Sequence, residues 1–512
     1  MAPKIINGSA HSWVGSGKTV YNNKGKTVLQ YEPYFSITHE YDPAQQAAEK
    51  GVSPRMYYDP LGRLYKTVMP DKSITETEWT PWIQVSYDGN DTVLDSGWLD
   101  DRVGSGIYAG IPEEVDAKNK TLAHADTPTI MHLDTLARPF YTIQTLTSAE
   151  PVEALHSYVE LDIQGNRLAV HDARGLTPLQ YRYNLLKAPC KTISIDSGTQ
   201  LILSDAAGQP LYSWDTDDRE FRFVYDALRR PTEKHVDTAL LETMTYGEAE
   251  PNPEDDNLRG QLFQTQDGAG LVTLERYDFK GNPLKTIRKF TVDATAHPDW
   301  SASVTLETTG YASEIVCDAL NRPVSLKNPD NSLTLHSYDA GGMLYSVAVN
   351  NVHALDTDIV NAIEYDAKGQ RTKVQYENGT TTTYEYDTFT FRVRRIRSTR
   401  ASDSAVLQDL LYWYDPVGNI TKMRDEAQQT IYYNNSIAKP ENGYTYDALY
   451  RLISASGREH EGNGSVPNAD SWNDAHRTQL AHKHDETKMR PYTQYYEYDE
   501  VRNMTRQRHT TT

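Results

Sequence analysis

The stretch from Tyr365 to Asp387, YDAKGQRTKVQYENGTTTTYEYD, contains one full unit of the repeat that decides the fold. Residues 371–376 alternate like a strand with one buried face, and Asn378-Gly379 favours a tight hairpin turn. Residues 381–386 are β-branched and aromatic, as expected of a second strand. A new Tyr-Asp pair follows, so the stretch predicts a β-hairpin joined to the next hairpin by a Tyr-Asp turn.

The same Tyr-Asp turn recurs along the whole chain at uneven spacing. The aspartate carboxylate can accept a hydrogen bond from a backbone N–H two residues on, and glycine at the fifth place tolerates a positive φ. The tyrosine ring can pack at the strand end while its hydroxyl reaches a neighbour. We therefore predict an all-β fold, a long antiparallel meander of hairpins coiled into a spiral. Its structural turn residues are Tyr58, Asp59, Gly62, Tyr225, Asp226, Tyr277, Asp278, Gly281, Tyr338, Asp339, Tyr365, Asp366, Gly369, Tyr386, Asp387, Tyr414, Asp415, Gly418, Tyr446, Asp447, Tyr498 and Asp499.

The repeats form a single region over residues 1–512, with no separate catalytic domain. The irregular stretches 238–258 and 456–490 are predicted to be exposed insertions. Helices are expected only at 43–50 and 352–363. No linker rich in proline, glycine and serine divides the array.

Composition narrows the possible functions. The chain has 512 residues and 51 Lys and Arg against 71 Asp and Glu, a formal charge of −20, which argues against a nucleic-acid partner. Only 38% of residues are hydrophobic, which suits a thin ribbon better than a solid domain. No apolar run is long enough for a signal peptide or a membrane span, so we expect synthesis in the cytoplasm and no membrane insertion. The two cysteines, Cys190 and Cys317, cannot form a disulfide framework.

Three motifs suggest chemistry, and each is better explained by the repeat. Residues 15–19, GSGKT, resemble the end of a phosphate-binding loop, but the leading glycine is absent and a strand follows. Two Asp-Ser-Gly turns, at Asp95 and Asp196, resemble the paired carboxylates of aspartic proteases, yet hairpins produce such turns routinely. The histidines of the second insertion lack a carboxylate or thiolate partner at metal-binding spacing; they are His460, His476, His482 and His484. We expect no catalytic, cofactor or metal site, and no enzymatic activity.

Several long strings carry a family resemblance. They are residues 13–36 (WVGSGKTVYNNKGKTVLQYEPYFS), 57–64 (YYDPLGRL), 246–262 (YGEAEPNPEDDNLRGQL), 414–432 (YDPVGNITKMRDEAQQTIY) and 444–460 (YTYDALYRLISASGREH). With the Tyr-Asp repeat, these strings resemble the Rhs or YD-repeat family, and most of all the C-terminal repeat region of the B component of bacterial insecticidal toxin complexes. The resemblance implies a segment of a hollow shell that encloses a cytotoxic effector together with a C-type partner, outside the producing cell.

Departures from that pattern leave alternatives open. The N-terminal half of a B component and the self-cleaving protease of a C component have no counterpart in these residues, so we expect a split product, a truncated relative or a fragment, which a missing N-terminal B-type half would complete. An extracellular YD-repeat adhesion or recognition module would fit the same repeats. A peptidase that uses Asp95 and Asp196 is the third hypothesis.

Overall fold

The computed structural model describes residues 2–6, 9–36, 39–40, 51–147, 153–351, 354–461 and 487–511. It is 52% strand and 5% helix, and one antiparallel sheet holds 34 strands. The prediction of an all-β meander is confirmed. In the part of the chain described, none of the helices is long and apolar enough to cross a membrane.

The strands are numbered in chain order. They are β1 (Ala2–Ile6), β2 (Ser9–Gly15), β3 (Thr19–Tyr21), β4 (Thr27–Gln30), β5 (Tyr34–Ser36), β6 (Arg55–Tyr58), β7 (Leu64–Val68), β8 (Ile74–Trp79), β9 (Ile83–Tyr87), β10 (Thr129–Leu133), β11 (Pro139–Thr147), β12 (Glu153–Leu161), β13 (Arg167–His171), β14 (Leu179–Tyr183), β15 (Pro189–Ser194), β16 (Gly198–Ser204), β17 (Pro210–Trp214), β18 (Glu220–Tyr225), β19 (Pro231–Val236), β20 (Ala239–Tyr246), β21 (Leu262–Asp267), β22 (Gly270–Tyr277), β23 (Pro283–Phe290), β24 (Tyr311–Cys317), β25 (Pro323–Lys327), β26 (Leu333–Tyr338), β27 (Leu344–Asn351), β28 (Ala354–Tyr365), β29 (Arg371–Tyr376), β30 (Thr380–Tyr386), β31 (Val393–Arg400), β32 (Val406–Tyr414), β33 (Ile420–Asp425), β34 (Ile431–Tyr433), β35 (Ser436–Ala438), β36 (Glu441–Tyr446), β37 (Leu452–His460), β38 (Met489–Tyr498) and β39 (Met504–Thr511).

Two small sheets accompany the large one. Strands β1, β2 and β5 form the first, and the hairpin β34–β35 forms the second. The described α-helices are α1 (Gly97–Asp100) and α2 (Pro112–Thr121), and 3-10 turns lie at Val93–Asp95, Leu122–His124 and Gly247–Ala249.

The large sheet is an open ribbon from β3 to β39, in which each strand pairs with the previous and the next strand of that sheet. Strands β5, β34 and β35 lie outside it, so β4 pairs with β6 and β33 with β36. Because all pairs are antiparallel, the connections alternate between the two edges of the ribbon. The Tyr-Asp turns that we predicted all lie on one edge, here called the turn edge. The other edge, here called the loop edge, carries longer connections such as 88–128, 291–310 and 426–440.

The two helices that the sequence predicts can be compared with the structure only in part. The expected helix at 352–363 is wrong where it is described, because residues 354–365 form β28 and pair with β27 and β29 on both sides. Pairing along both neighbours outweighs local propensity. The expected helix at 43–50 lies outside the described residues.

The two predicted insertions are shorter than the sequence suggested. Within 238–258, residues 239–246 form β20, whose strand pairing on both sides leaves only 247–258 irregular. Within 456–490, residues 456–460 belong to β37 and 489–490 to β38, while 462–486 lie outside the described residues.

Few residues of this ribbon are fully buried. Among the described residues, only fourteen apolar side chains are buried, and several of them, such as Val93 and Trp98, lie on the loop-edge segment 88–127. The chain exposes 30168 Å² of surface, whereas a compact protein of 58.0 kDa would expose roughly 19,000 Å². A single layer of strands explains both observations.

Candidate functional site

The Tyr-Asp turns have one shared geometry. In Asp226, the Oδ1 atom accepts hydrogen bonds from the backbone N–H groups of Leu228 and Arg230, at 2.8 and 2.9 Å. The Oδ2 atom accepts one from Nε of Arg230 at 2.7 Å. The N–H of Arg230 is the main cause that holds the pKa of Asp226 below its usual value. In eight of the nine predicted turns the residue three places after the aspartate has a positive φ, as at Gly62 (82°) and Gly369 (84°). In the turn at Asp387 the positive φ falls one place later, at Phe391 (58°).

The tyrosine of each turn links its strand to the strand before it. The hydroxyl of Tyr225 donates to the carbonyl oxygen of Pro210, the first residue of β17, at 2.8 Å. All nine predicted turn tyrosines donate in this way to the first residue of the preceding strand of the large sheet; the others are Tyr58, Tyr277, Tyr338, Tyr365, Tyr386, Tyr414, Tyr446 and Tyr498. Consecutive turns are therefore joined along the turn edge.

The side chain four places after the aspartate makes a second link between turns. Arg451, held by Asp447 through Nε, donates from Nη1 to the backbone carbonyl of Asp499 in the next turn at 3.0 Å. Its guanidinium carbon lies 5.2 Å from the ring centroid of Tyr498. Arg322 stacks on Tyr338 in the same way, at 4.3 Å. Neighbouring turns are thus joined into a ladder by hydrogen bonds and arginine–tyrosine contacts. These polar contacts stabilise a ribbon that has little hydrophobic core.

The ribbon coils until its loop edge meets its own turn edge. Glu32 and Arg174 lie on loop-edge connections near the start of the ribbon, yet they contact turns near its end. The contacts are Lys368 Nζ–Glu32 Oε2 at 2.9 Å, Asn90 Nδ2–Asp415 Oδ2 at 2.9 Å and Arg174 Nη1–Asp499 Oδ2 at 4.0 Å. One winding is therefore stacked on another, as the predicted spiral requires.

The segment 88–127, here called the clasp, makes the most extensive of these contacts. Its helix α2 begins at Pro112, with Glu113 and Glu114 in the first turn and Lys118 and Lys120 in the last. These charges interact favourably with the helix dipole and stabilise the helix. Lys120 Nζ donates to the backbone carbonyl of residue 421 at 2.8 Å. The clasp thereby reaches β33, far along the ribbon.

A buried ion network anchors the clasp to the late strands. Glu114, which is 4% exposed, accepts two hydrogen bonds from Arg102, at 2.6 and 3.0 Å, through its Oε2 atom. Its Oε1 atom accepts one from Arg394 of β31 at 3.0 Å. The Arg102 guanidinium also lies 3.6 Å from the ring centroid of the buried Trp98. Loss of one partner from such a network would leave a buried charge without its counter-ion, which strongly destabilises a folded protein.

Acidic groups gather where the clasp covers the turns. The carboxylate of Asp88 accepts a hydrogen bond from the hydroxyl of Tyr450, and Asn90 donates to Asp415. Burial, with the nearby charge of Asp88, raises the pKa of Asp91 to about 6. Burial also raises the pKa of Tyr450, with Asp88 adding to the effect, and lowers the pKa of His124.

The motifs with suspected chemistry lie apart from one another. Residues 15–19 connect β2 to β3 through a turn at Gly17, without the helix that a phosphate-binding loop needs. Asp95 ends the 3-10 turn at 93–95, whereas Asp196 lies in the β15–β16 hairpin, where its N–H donates to Ser194 Oγ at 3.1 Å. No contact joins these two carboxylates in the described structure.

The histidine cluster can be followed only in part. His460 ends β37, while His476, His482 and His484 lie outside the described residues. Within the ranges that the structure describes, no group of three or more His, Cys, Asp or Glu side chains is arranged to hold a metal ion.

The clasp is the part of the site that the sequence motifs do not predict. Pro112 at the helix start, Glu113 and Glu114 directly after it and lysines near its end are recognised start and stop signals. These signals could have located α2, but not its contact with strands some 300 positions away.

Comparison with known proteins gives consistent results. No protein-family model matches the chain. Toxin subunit YenC2 of Yersinia entomophaga is 30% identical over 390 residues, which covers 69% of this chain and 40% of the relative. Toxin subunit YenC1 of the same organism is 28% identical over 338 residues, covering 62% of this chain and 34% of the relative. The chain thus spans less than half the length of the curated relatives it matches.

The solved structures agree with this relationship. The crystal structure of TcdB2-TccC3 matches all of this chain with a TM-score of 0.86 and 26% identity, and the match covers 25% of that chain. The Photorhabdus luminescens Tc holotoxin pore, with a TccC3-D651A mutation, matches 98% of this chain with a TM-score of 0.83 and 25% identity, over 23% of its own length. The relatives found by sequence are named as C subunits, so the expected likeness to the B component in particular stays a prediction. Sequence and fold together make the chain a Rhs-repeat relative of insecticidal toxin-complex subunits.

Proposed function

We propose that the chain forms a segment of the wall of a hollow toxin-complex shell, which encloses a cytotoxic effector together with a C-type partner. The observation that carries the proposal is the stacking of one winding of the ribbon on another, through contacts such as Asn90–Asp415. The likeness to TcdB2-TccC3 over the whole chain supports it.

The dimensions of the ribbon suit a container. Roughly 24 strands separate each loop-edge residue from the turn that it contacts, and strands lie about 4.8 Å apart, so one winding is roughly 115 Å around. A circle of that circumference is roughly 35 Å across. Since the wall is one sheet thick, space remains inside each winding. The sparse burial of side chains supports the same arrangement.

The role requires containment and no catalysis, so we propose that the chain is not an enzyme. We further propose that it acts outside the producing cell, as part of a secreted complex, and that it corresponds to the repeat region of a B-type component. The likeness to named toxin subunits supports the assignment to a toxin complex.

Electron microscopy of a co-purified complex tests the proposal. The full chain is produced with a C-type subunit encoded in the same genome, and the purified particle is imaged by single-particle methods. We expect a closed hollow particle with continuous density for the ribbon. A compact solid particle, or no complex between the two chains, would contradict the proposal. The chain alone, imaged in parallel, serves as the control for shell closure.

A further inference from the structure

A cavity of about 440 Å³, here called the seam cavity, lies where the first winding meets the later turns. One wall is a row of polar side chains, because Ser86, Thr129 and Gln144 are directly paired across β9, β10 and β11. The opposite wall comes from the turns that contain Tyr450 and Arg502. Residues of two windings therefore line one space, and its volume lies within the range of roughly 300–1,000 Å³ that small-molecule sites occupy.

Two carboxylates, Asp88 and Asp91, give the seam cavity a negative charge. Both side chains are half-buried, and within the described residues neither forms an ion pair with a lysine, arginine or histidine. Arg502 also lines the cavity, but it is exposed, and its Nη2 atom lies 3.4 Å from Gln144 Oε1 instead of contacting a carboxylate. A half-buried pair of carboxylates without a counter-ion favours the binding of a cation from solution.

The two tyrosines that line the cavity experience the same negative field. Burial raises the pKa of Tyr87, and the charges of nearby carboxylates, Asp91 among them, raise it further. Burial raises the pKa of Tyr450 as well, and the charge of Asp88 adds to the effect. Aromatic rings also attract organic cations. The field and the rings together favour a positively charged organic ligand over an anion or a neutral molecule.

A primary ammonium group fits the hydrogen-bonding groups of the cavity. A carboxylate has about four lone-pair sites, and Asp91 uses one for the backbone N–H of Asp88 and one for the hydroxyl of Thr127. The remaining sites of Asp91 and the hydroxyl oxygens of Ser86 and Thr129 offer acceptors for the N–H groups of an ammonium. A bare metal ion fits less well, because the described residues hold no group of three or more His, Cys, Asp or Glu arranged for a metal.

We infer that the seam cavity binds a primary ammonium group, carried by a free polyamine or by a lysine side chain, with Asp91 as its main counter-ion. The inference goes beyond the proposed function, because it needs only the coiled chain and no partner. The bound ammonium offsets the repulsion between Asp88 and Asp91. Because both windings line the cavity, its binding also stabilises their stacking.

Saturation-transfer difference NMR of the full chain at neutral pH tests the inference. The probes are putrescine and Nα-acetyl-lysine methylamide, which represent a free amine and a lysine side chain, and butanediol is the uncharged control. We expect at least one amine to bind and butanediol not to bind. Asp91→Asn should raise the dissociation constant of the amine by roughly tenfold or more, because it removes a charge-assisted hydrogen bond.

Asp126→Asn is the matched control. The backbone N–H of Asp126 donates to the carbonyl oxygen of Asp91 at 2.9 Å, but its side chain is exposed and does not line the cavity. We expect this variant to bind within about threefold of wild type. Equal affinities of Asp91→Asn and wild type would overturn the inference.

Hydrogen exchange of the wild-type chain locates the site without any substitution. The amine that binds should slow exchange of peptides from both 88–127 and 447–451, because both segments line the cavity. Binding of one amine alone identifies the source of the ammonium group. Binding of neither amine, or binding that slows exchange in neither segment, would contradict the inference and leave the proposed function intact.

Discussion

Neutralising Asp91 is expected to tighten the clasp at neutral pH, and the effect should disappear below about pH 4. Asp91 is half-buried beside Asp88 and lines a cavity with Tyr450 and Arg502. Burial and the charge of Asp88 raise its pKa from 3.8 to about 6. Between pH 4 and pH 6, Asp91 binds more protons when the clasp is closed than when it is open. Its contribution to the stability of the closed clasp is therefore present below about pH 4 and is lost as the pH rises through 6.

The variant Asp91→Asn can keep the local hydrogen bonds. Asp91 Oδ2 accepts from the backbone N–H of Asp88 at 2.9 Å, and Oδ1 accepts from the hydroxyl of Thr127 at 2.8 Å. An asparagine oxygen can replace Oδ2, and its amide can donate to the Thr127 oxygen. The Thr127 hydroxyl is then free to donate to the carbonyl of His124, which already lies 2.8 Å away.

The magnitude follows from the pKa. A shift of one pKa unit corresponds to about 1.36 kcal/mol, so the raised pKa of Asp91 gives roughly 3 kcal/mol as an upper value, and partial exposure reduces it to roughly 2 kcal/mol. At neutral pH, Asp91→Asn should therefore slow hydrogen exchange of the clasp amides roughly 30-fold. His124, whose pKa is lowered by burial, acts in the opposite direction in both proteins and cancels in the comparison.

Hydrogen–deuterium exchange with mass spectrometry at pH 7.5 and pH 4.5 measures this effect on peptides from residues 88–127. Peptides from the 205–209 turn, far from the clasp, serve as the internal control. We expect roughly 30-fold slower exchange at pH 7.5 and only roughly threefold slower exchange at pH 4.5, because most of the difference develops between pH 4 and pH 6. Equal protection of variant and wild type at pH 7.5, or faster exchange of the variant, would refute the reasoning.

Three further predictions concern the turn ladder and the ion network, and thermal unfolding measures each of them. Glu114→Gln leaves two guanidinium groups without their buried carboxylate and should cost about 3–5 kcal/mol; an effect no larger than that of an exposed ion pair would argue against the anchor. Asp415→Ala removes the acceptor of four hydrogen bonds and should destabilise the chain more than Asp278→Ala, the matched change in an uncovered turn; equal losses would contradict the covering role of the clasp. Tyr225→Phe should cost about 0.5–1.5 kcal/mol by removing one link between strands, whereas Tyr21→Phe, in a side chain 61% exposed, should change little.

The sequence predicts the turns well because their bonds are local. Asp226 and Arg230 are four residues apart, and aspartate with a following positive φ is enough to specify the turn. The strand predicted at 371–376 coincides with β29 in its bounds. The hydrogen bond from each tyrosine hydroxyl to the preceding strand is harder to predict, because the sequence identifies the tyrosine but not the carbonyl oxygen to which it donates.

The clasp could not be predicted because its contacts join distant parts of the chain. Asn90 and Asp415 are 325 residues apart, and no local pattern relates them. Their distance depends on how many strands complete a winding, which is a property of the twist of the whole ribbon and not of any single hairpin. The mistaken helix at 352–363 has a related cause, because pairing with two neighbouring strands decides the structure there.

Contacts between neighbouring turns and contacts between windings have different effects on the ribbon. Each turn is bonded mainly to the turns beside it, so the stability of the ribbon is close to a sum of neighbouring terms, as in other repeat proteins. A change within one turn, such as Asp278, therefore weakens the ribbon locally and leaves its coiling intact. Closure depends instead on the few contacts between windings, and Glu114 and Asp415 lie at their centre. It follows that the ribbon can lengthen or shorten by whole repeats, whereas the stacking of its windings depends on the edges where they meet.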